Sequence, residues 1–193
     1  MRLIIVRHGL TEENKAGIIQ GHLPGRLAVE GIDQAQKLAL RLKEEKIDYI
    51  YSSDLARASD TAQEIAKWHP QTPLIFTEEI RERNMGEFQG LKKYDFGIFV
   101  KSSTAQLEPK EGETINHLGE RAKNFLRKIY TEHPNHNILL VGHNGINRAI
   151  MAEITGQAFN DVSGQHNTRV NIFELFPDGH HKIHVLNNIS HLD

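Results

Sequence analysis

Leu3-Ile4-Ile5-Val6-Arg7-His8-Gly9 is a short apolar run that stops abruptly at Arg, His and Gly. Four to eight apolar residues bounded by a turn signal predict a buried strand. Such a strand delivers Arg7 and His8 together at its C-terminal edge, which is where open α/β sheets bind ligands. A guanidinium beside an imidazole suits a phosphoryl group, because one clamps the oxygens while the other can attack phosphorus. Taken alone, the stretch reads equally well as a strand that ends in two surface polar residues. The rest of the chain decides between the two.

Further along, Asn137 to Val141 is the clearest second strand, and Gly142-His143-Asn144-Gly145 follows it. The logic repeats: an apolar strand, a small residue, a histidine. If both strands are central and parallel, His8 and His143 share one edge of the sheet. Between them, strand-like and helix-like segments alternate. Ile32, Ala35, Leu38, Ala39 and Leu42 have helical spacing within a helix from about Val29 to Lys46. Asp48 to Tyr51 is a short strand, and Asp54 resembles an N-cap for a helix reaching about Trp68. Leu74 to Phe76 is strand-like, Glu79 to Gly90 reads as a loop, and Tyr94 to Ser103 as a short helix. Thr114 to Tyr130 and Ile146 to Ile154 are helices. Val170 to Leu175 and His184 to Leu186 form a terminal hairpin through Pro177-Asp178-Gly179. Trp68 and the phenylalanines are expected in the core. This alternation predicts an α/β fold, a three-layer α/β/α sandwich with a mixed, mainly parallel sheet whose final hairpin adds antiparallel pairing.

The 193 residues suit a single domain over 1–193, with a small lid-like insertion at about 89–113. A hydrophobic share of 38% with 25% charged residues fits a globular protein with a real core. No apolar run approaches the roughly 20 residues needed to span a bilayer, and no secretory signal is visible. No membrane partner is expected. A net charge of −2 gives no general pull toward nucleic acid, so any anion site must be a local cluster. The absence of cysteine excludes disulfides, thiolate chemistry and cysteine-ligated zinc, and a cytoplasmic location is expected. Oligomeric state is not legible in the chain.

Two more segments complete the pattern. Tyr51-Ser52-Ser53-Asp54-Leu55-Ala56-Arg57-Ala58 carries a strand end into a helix whose first turn holds Arg57, and a helix N-terminus already favours anions. Ile80-Arg81-Glu82-Arg83-Asn84-Met85-Gly86-Glu87-Phe88-Gln89-Gly90 is a loop rich in carboxylates. Together these pieces resemble the histidine phosphatase superfamily, the phosphoglycerate mutase-like group named for its Arg-His-Gly motif. The resemblance covers nearly the whole chain. Arg7-His8-Gly9 with Thr11 and Asn14, then Gln20-Gly21, match the signature loop. Ser52 to Ala58 with Thr61-Ala62 match the second motif, and Arg81-Glu82 with Gly86 and Gly90 match the acid loop. Glu111-Gly112-Glu113-Thr114 opens the next helix, and Gly142-His143-Asn144-Gly145 supplies the second histidine.

The resemblance implies a metal-free, cofactor-free hydrolysis of a small-molecule phosphomonoester. His8 would be the nucleophile and become phosphohistidine. Arg7, Arg57 and His143 would surround the phosphoryl oxygens, with the Asn144 backbone N–H as a further donor. Glu82 would protonate the leaving alkoxide and then deprotonate the attacking water, although Glu78, Glu79 and Glu87 compete for that role. Asn14, Gln20 and Gly21 would sit near the phosphate or its leaving group, or act as plain loop hydrogen bonders. His180, His181 and His184 read as a solvated hairpin rather than a metal site.

Several positions depart from the family pattern. Leu10 replaces the usual Glu after the motif glycine, and Glu13 replaces the usual aromatic before Asn14. Where the mutase branch places a Tyr three positions after the acid, this chain has Met85. No arginine occurs between Arg83 and Arg121, so the mutase's arginine pair is missing, although Lys93 does match a mutase lysine. With half of the clamp for the released acid gone, water should outcompete retransfer, and a phosphatase is expected. A bisphosphoglycerate-dependent phosphoglycerate mutase and a non-catalytic phospholigand-binding module are the rival readings. Lys92, Lys93, Tyr94, Phe96, Phe99 and Lys101 would give the lid its specificity.

Overall fold

The computed structural model describes residues 1–96, 105 and 107–193. Among these, six strands form one sheet: β1 (Arg2–Arg7), β2 (Tyr49–Ser53), β3 (Leu74–Thr77), β4 (Asn137–Gly142), β5 (Val170–Leu175) and β6 (His181–Asn188). Their order is β3-β2-β4-β1-β5-β6. The first four run parallel, while β5 is antiparallel to β1 and β6 to β5. Five α-helices are described: α1 (Glu12–Lys15), α2 (Val29–Leu42), α3 (Ala56–Ala66), α4 (Ile115–Glu132) and α5 (Asn144–Thr155).

The two apolar runs of the central strands are explained by helices on both faces. Side chains alternate across a strand. Leu3, Ile5, Ile138 and Leu140 therefore pack with Leu118, Phe125, Ile129 and Ile150 of α4 and α5. Ile4, Val6, Leu139 and Val141 pack on the other face with Leu38, Leu42, Ala58 and Ile65 of α2 and α3. Both faces being covered, no polar alternation is needed, and the α/β/α expectation is borne out. Each fully buried Leu or Ile contributes about 1.5–3 kcal/mol relative to exposure.

Close packing shapes the loop that follows β1. Gly9 and Gly31 meet there, and a Cβ on either would overlap backbone: Gly31 O for the first, Leu10 O for the second. Ala28 N donates to Leu10 O (2.9 Å) and Leu10 N to the Gln34 side chain (2.9 Å), fastening the loop to the start of α2.

Several local expectations are corrected. Asp54 does not cap α3. Leu55 holds that position without a side-chain bond, and the Asp54 carboxylate instead forms a two-pronged pair with Arg81. The helix expected to reach Lys46 ends at Leu42, and the one expected to reach Trp68 ends at Ala66. Trp68 is not core: it is 48% exposed, with Lys43 Nζ 5.7 Å from its ring centre. Phe125 and Phe173 are buried, but Phe76 and Phe176 are exposed. The Glu79 to Gly90 loop contains tight helical turns at Glu78–Ile80 and Gly86–Phe88. A further turn occupies Lys93–Phe96, and the remainder of the helix expected to Ser103, with Phe99 and Lys101, lies outside the described residues. Among the described residues no helix is long and apolar enough to cross a membrane, and no group of three or more His, Asp or Glu side chains could hold a metal ion. His180 and His184 pair instead with Asp178 and Glu174.

Candidate active site

The register of β1 and β4 sets Arg7 opposite Gly142, so His8 and His143 leave the sheet side by side. Both are buried, and their ring centres stand 5.1 Å apart. Hydrogen bonding gives the two rings opposite tautomers. His8 Nδ1 lies 2.7 Å from the Gly9 carbonyl oxygen, which can only accept. Nδ1 therefore carries the proton, and Nε2 keeps its lone pair. His143 Nδ1 lies 3.2 Å from Arg57 Nε, which can only donate. Here Nδ1 accepts, so Nε2 carries the proton, and that nitrogen is buried without a partner.

Burial holds both imidazoles well below the ordinary histidine pKa. The nearby Arg7 and Arg57 push His8 further down, and Arg57 is the leading charge acting the same way on His143. Both rings are therefore neutral near pH 7. One presents a nucleophilic lone pair and the other an N–H donor, within reach of one tetrahedral oxyanion.

Arg57 is buried in the first turn of α3 and anchored on three carbonyls: Leu23 (2.5 Å), Pro24 (3.1 Å) and Gly21 (2.8 Å). Arg7 Nη1 donates to Gln165 O (2.6 Å), and its Nε is buried without a partner. Burial pulls each arginine down to about 10, which leaves both cationic at neutral pH. They face a cleft lined also by His8, Asn14, Gln20, Gly21 and Glu82.

Glu82 projects from its loop onto the start of α5. Its Oε1 accepts from the N–H groups of Arg83 (2.9 Å), Gly145 (2.9 Å) and Ile146 (3.3 Å), and its Oε2 accepts from Gly145 N–H (3.1 Å). A carboxylate at a helix N-terminus is favoured by the unpaired amides there. Glu78 and Glu79, its sequence rivals, instead contact Arg81 and Lys128, and Glu87 accepts from Lys110 and Glu111 N–H.

Asn14 lines the cleft with its Oδ1 accepting from Thr11 N–H (3.3 Å). Gln20 donates to Thr11 Oγ1 (3.0 Å), while its Oε1 is buried without a partner. Asn144 and Lys93 line the cleft as well, and the Lys93 ammonium is held below its usual pKa by burial and by Arg7. All ten residues named from the sequence thus converge on one region.

Other contributors were not named from the sequence. Arg83 donates to Glu113 O (2.6 Å) and Leu107 O (2.8 Å), tying the returning chain to the cleft. Arg148 lines the cleft and is held by Val162 O (2.9 Å), Phe159 O (2.8 Å) and the Phe159 ring. Its four-residue spacing from Asn144 would have flagged a shared helix face. Ile18, Met85, Ile115 and Phe159 supply apolar wall. Gln165 and Asn167 reach the site because β5 runs antiparallel to β1, so the residues before Val170 meet the end of β1.

An α/β sheet edge that buries two neutral histidines between two arginines, with a carboxylate alongside, defines a site for phosphoryl groups. Residues 3–189 match the model of the histidine phosphatase superfamily (branch 1), and the chain belongs to that family. It is 36% identical over 200 residues to phosphoglycerate mutase-like protein 4 of Arabidopsis thaliana, covering 99% of this chain and 86% of that protein. It is also 36% identical over 162 residues to the metal-independent phosphoserine phosphatase of the same plant, covering 79% and 68%. The structure of a phosphoserine phosphatase from Entamoeba histolytica, in complex with 3-phosphoglyceric acid, superposes with a TM-score of 0.84 at 26% identity, covering 99% of this chain and 98% of that one.

Proposed function

We propose that this chain hydrolyses a small phosphomonoester without a metal, in two in-line steps at His8. In the first, His8 Nε2 attacks phosphorus and the bond to the leaving oxygen breaks. A protonated Glu82 gives its proton to that oxygen, and phosphohistidine remains. In the second, Glu82 takes a proton from water, the water oxygen attacks phosphorus, the N–P bond breaks, and inorganic phosphate leaves. Phosphoryl transfer relies on positioning and charge stabilisation rather than covalent help from the protein. Arg7, Arg57 and His143 Nε2–H provide donors to the transferred oxygens. Glu82 occupies the N–H groups of Gly145 and Ile146, which makes the Asn144 N–H the remaining first-turn donor of α5.

The observation that carries this reading is the opposite tautomers of two adjacent buried imidazoles. Phosphatase over mutase is favoured by Met85, buried in the cleft wall where the mutase branch has a hydroxyl. Phosphoserine and related phosphorylated acids, the named substrates of several relatives, head the panel of substrates to test. The insertion at about 89–113 acts as the lid of a single domain. Its ends are fastened by Ile19 N–H to Leu91 O (2.9 Å) and by the Arg83 bonds to Leu107 and Glu113. The test is p-nitrophenyl phosphate hydrolysis in EDTA. Activity should be present in the natural chain and absent in His8→Ala; equal rates in the two would remove His8 as nucleophile.

A further inference from the structure

The nucleophile reading leaves a segment outside the cleft unexplained. Residues 165–168 approach the phosphate loop from the start of β5 and bond to it repeatedly. Asn167 Nδ2 donates to the carbonyl oxygens of His8 (3.0 Å) and Gly9 (3.1 Å) and lies 3.3 Å from Asn14 Oδ1. The Gly9 carbonyl is the group that accepts from His8 Nδ1. Thr168, fully buried, holds φ 55° and donates its N–H to Arg7 O (3.1 Å) and His8 O (3.4 Å). A β-branched residue in that left-handed region is strained, and the surrounding contacts must hold it there. One of these is the 3.2 Å contact between Thr168 Oγ1 and His191 Nε2, from the turn at Ser190–Leu192.

We propose that Asn167 is a positioning residue that fixes the tautomer of His8. Its amide anchors the Gly9 carbonyl, which in turn keeps the proton on Nδ1 and the lone pair on Nε2. The same amide engages Oδ1 of Asn14, which lines the cleft. A free imidazole exchanges between tautomers, and only one of them can attack from Nε2. Anchoring the acceptor removes the inactive form before substrate arrives. The inference rests on His8 as the nucleophile, but its primary readout does not involve turnover.

The experiment is nitrogen NMR of the whole chain carrying ¹⁵N-histidine, with His8 assigned by its loss in His8→Gln. Wild-type His8 should show a protonated Nδ1 and an unprotonated Nε2 at pH 7.5. In Asn167→Ala the two resonances should move toward exchange-averaged values. The rate of phosphoenzyme formation should fall about 10- to 100-fold, the range seen when a partner orienting a metal-bound imidazole is removed. Asn167→Asp, of nearly the same shape but without the amide donors, should reproduce both effects. A wild-type His8 protonated on Nε2 would overturn the proposal whether or not either variant folds. So would a folded Asn167→Ala or Asn167→Asp with an unchanged His8 tautomer. Loss of phosphoenzyme in His8→Gln alongside an unmoved tautomer in the Asn167 variants would leave the nucleophile standing and remove only the role of Asn167.

Discussion

Gly145→Ala separates the chemistry from the fold. A Cβ at Gly145 would overlap Glu82 Oε1 and stand 3.3 Å from its Cδ. Gly145 sits in the first turn of α5 without a positive φ, so the backbone accepts alanine and gains up to about 1 kcal/mol of helix propensity. The carboxylate is the end of a flexible side chain and moves instead. In moving it gives up its bonds to Gly145 N–H, at 2.9 and 3.1 Å, and keeps the one to Arg83 N–H. Losing one such charge-assisted bond costs about 1.5–3 kcal/mol. The net destabilisation is about 1 kcal/mol, a fall in Tm of roughly 2–4 °C for a chain of this size. Catalysis should suffer far more, because a displacement near 1 Å at a reacting group can cost about 100-fold. Alkyl phosphates, whose leaving alkoxide needs a proton, should lose most; p-nitrophenyl phosphate should lose little. The assay is kcat/KM, which reports phosphoenzyme formation and not the water step common to all esters, on a series graded by leaving-group pKa, with Tm measured in parallel. Equal slowing across the series, or an alkyl ester hydrolysed at the natural rate, would refute the placement of the proton on Glu82.

Arg57→Lys keeps the charge but cannot reach three carbonyls and His143 Nδ1 together, so kcat on p-nitrophenyl phosphate should fall about 100-fold or more. A loss under fivefold would show that charge alone suffices. Stability should fall with acid: His8 and His143 have folded pKa values below their unfolded values, so the unfolded chain binds more protons once pH drops below about 6.5. Urea titrations from pH 7 to pH 5 should show this decline, and it should be shallower in His8→Gln/His143→Gln; an identical slope would contradict the burial of neutral rings. Arg83→Met should speed proteolytic cutting near residues 105–113 and raise KM more than it lowers kcat. Unchanged cutting would argue that its bonds to Leu107 and Glu113 do not hold the lid.

The architecture was legible because continuous apolar runs such as Leu3 to Val6 and Ile138 to Val141 leave no solvent face to a strand. Histidine at the end of each then located the site. What stayed hidden depended on partners distant in the chain. Asp54 looks like a helix cap locally, yet Arg81 takes its carboxylate. Trp68 looks like core by size, yet α3 ends before it. Asn167 sits in a polar run whose meaning appears only once β5 is laid antiparallel beside β1. Arg83 has no sequence signal distinguishing it from a surface arginine, because its acceptors are main-chain oxygens 24 and 30 residues away.

The proposed acid and the proposed phosphoryl-binding imidazole share a mount. His143 immediately precedes α5, and Glu82 is moored to the first amides of that helix. A tilt of the helix would carry Glu82 and His143 together, so their spacing is set by the mooring on these amides rather than by the helix's position. On the proposed function, compounds of different bulk would be accommodated by the rest of the lining, such as Ile18, Met85 and Ile115. Breadth of substrate use can drift there over evolutionary time without retuning the two steps of transfer.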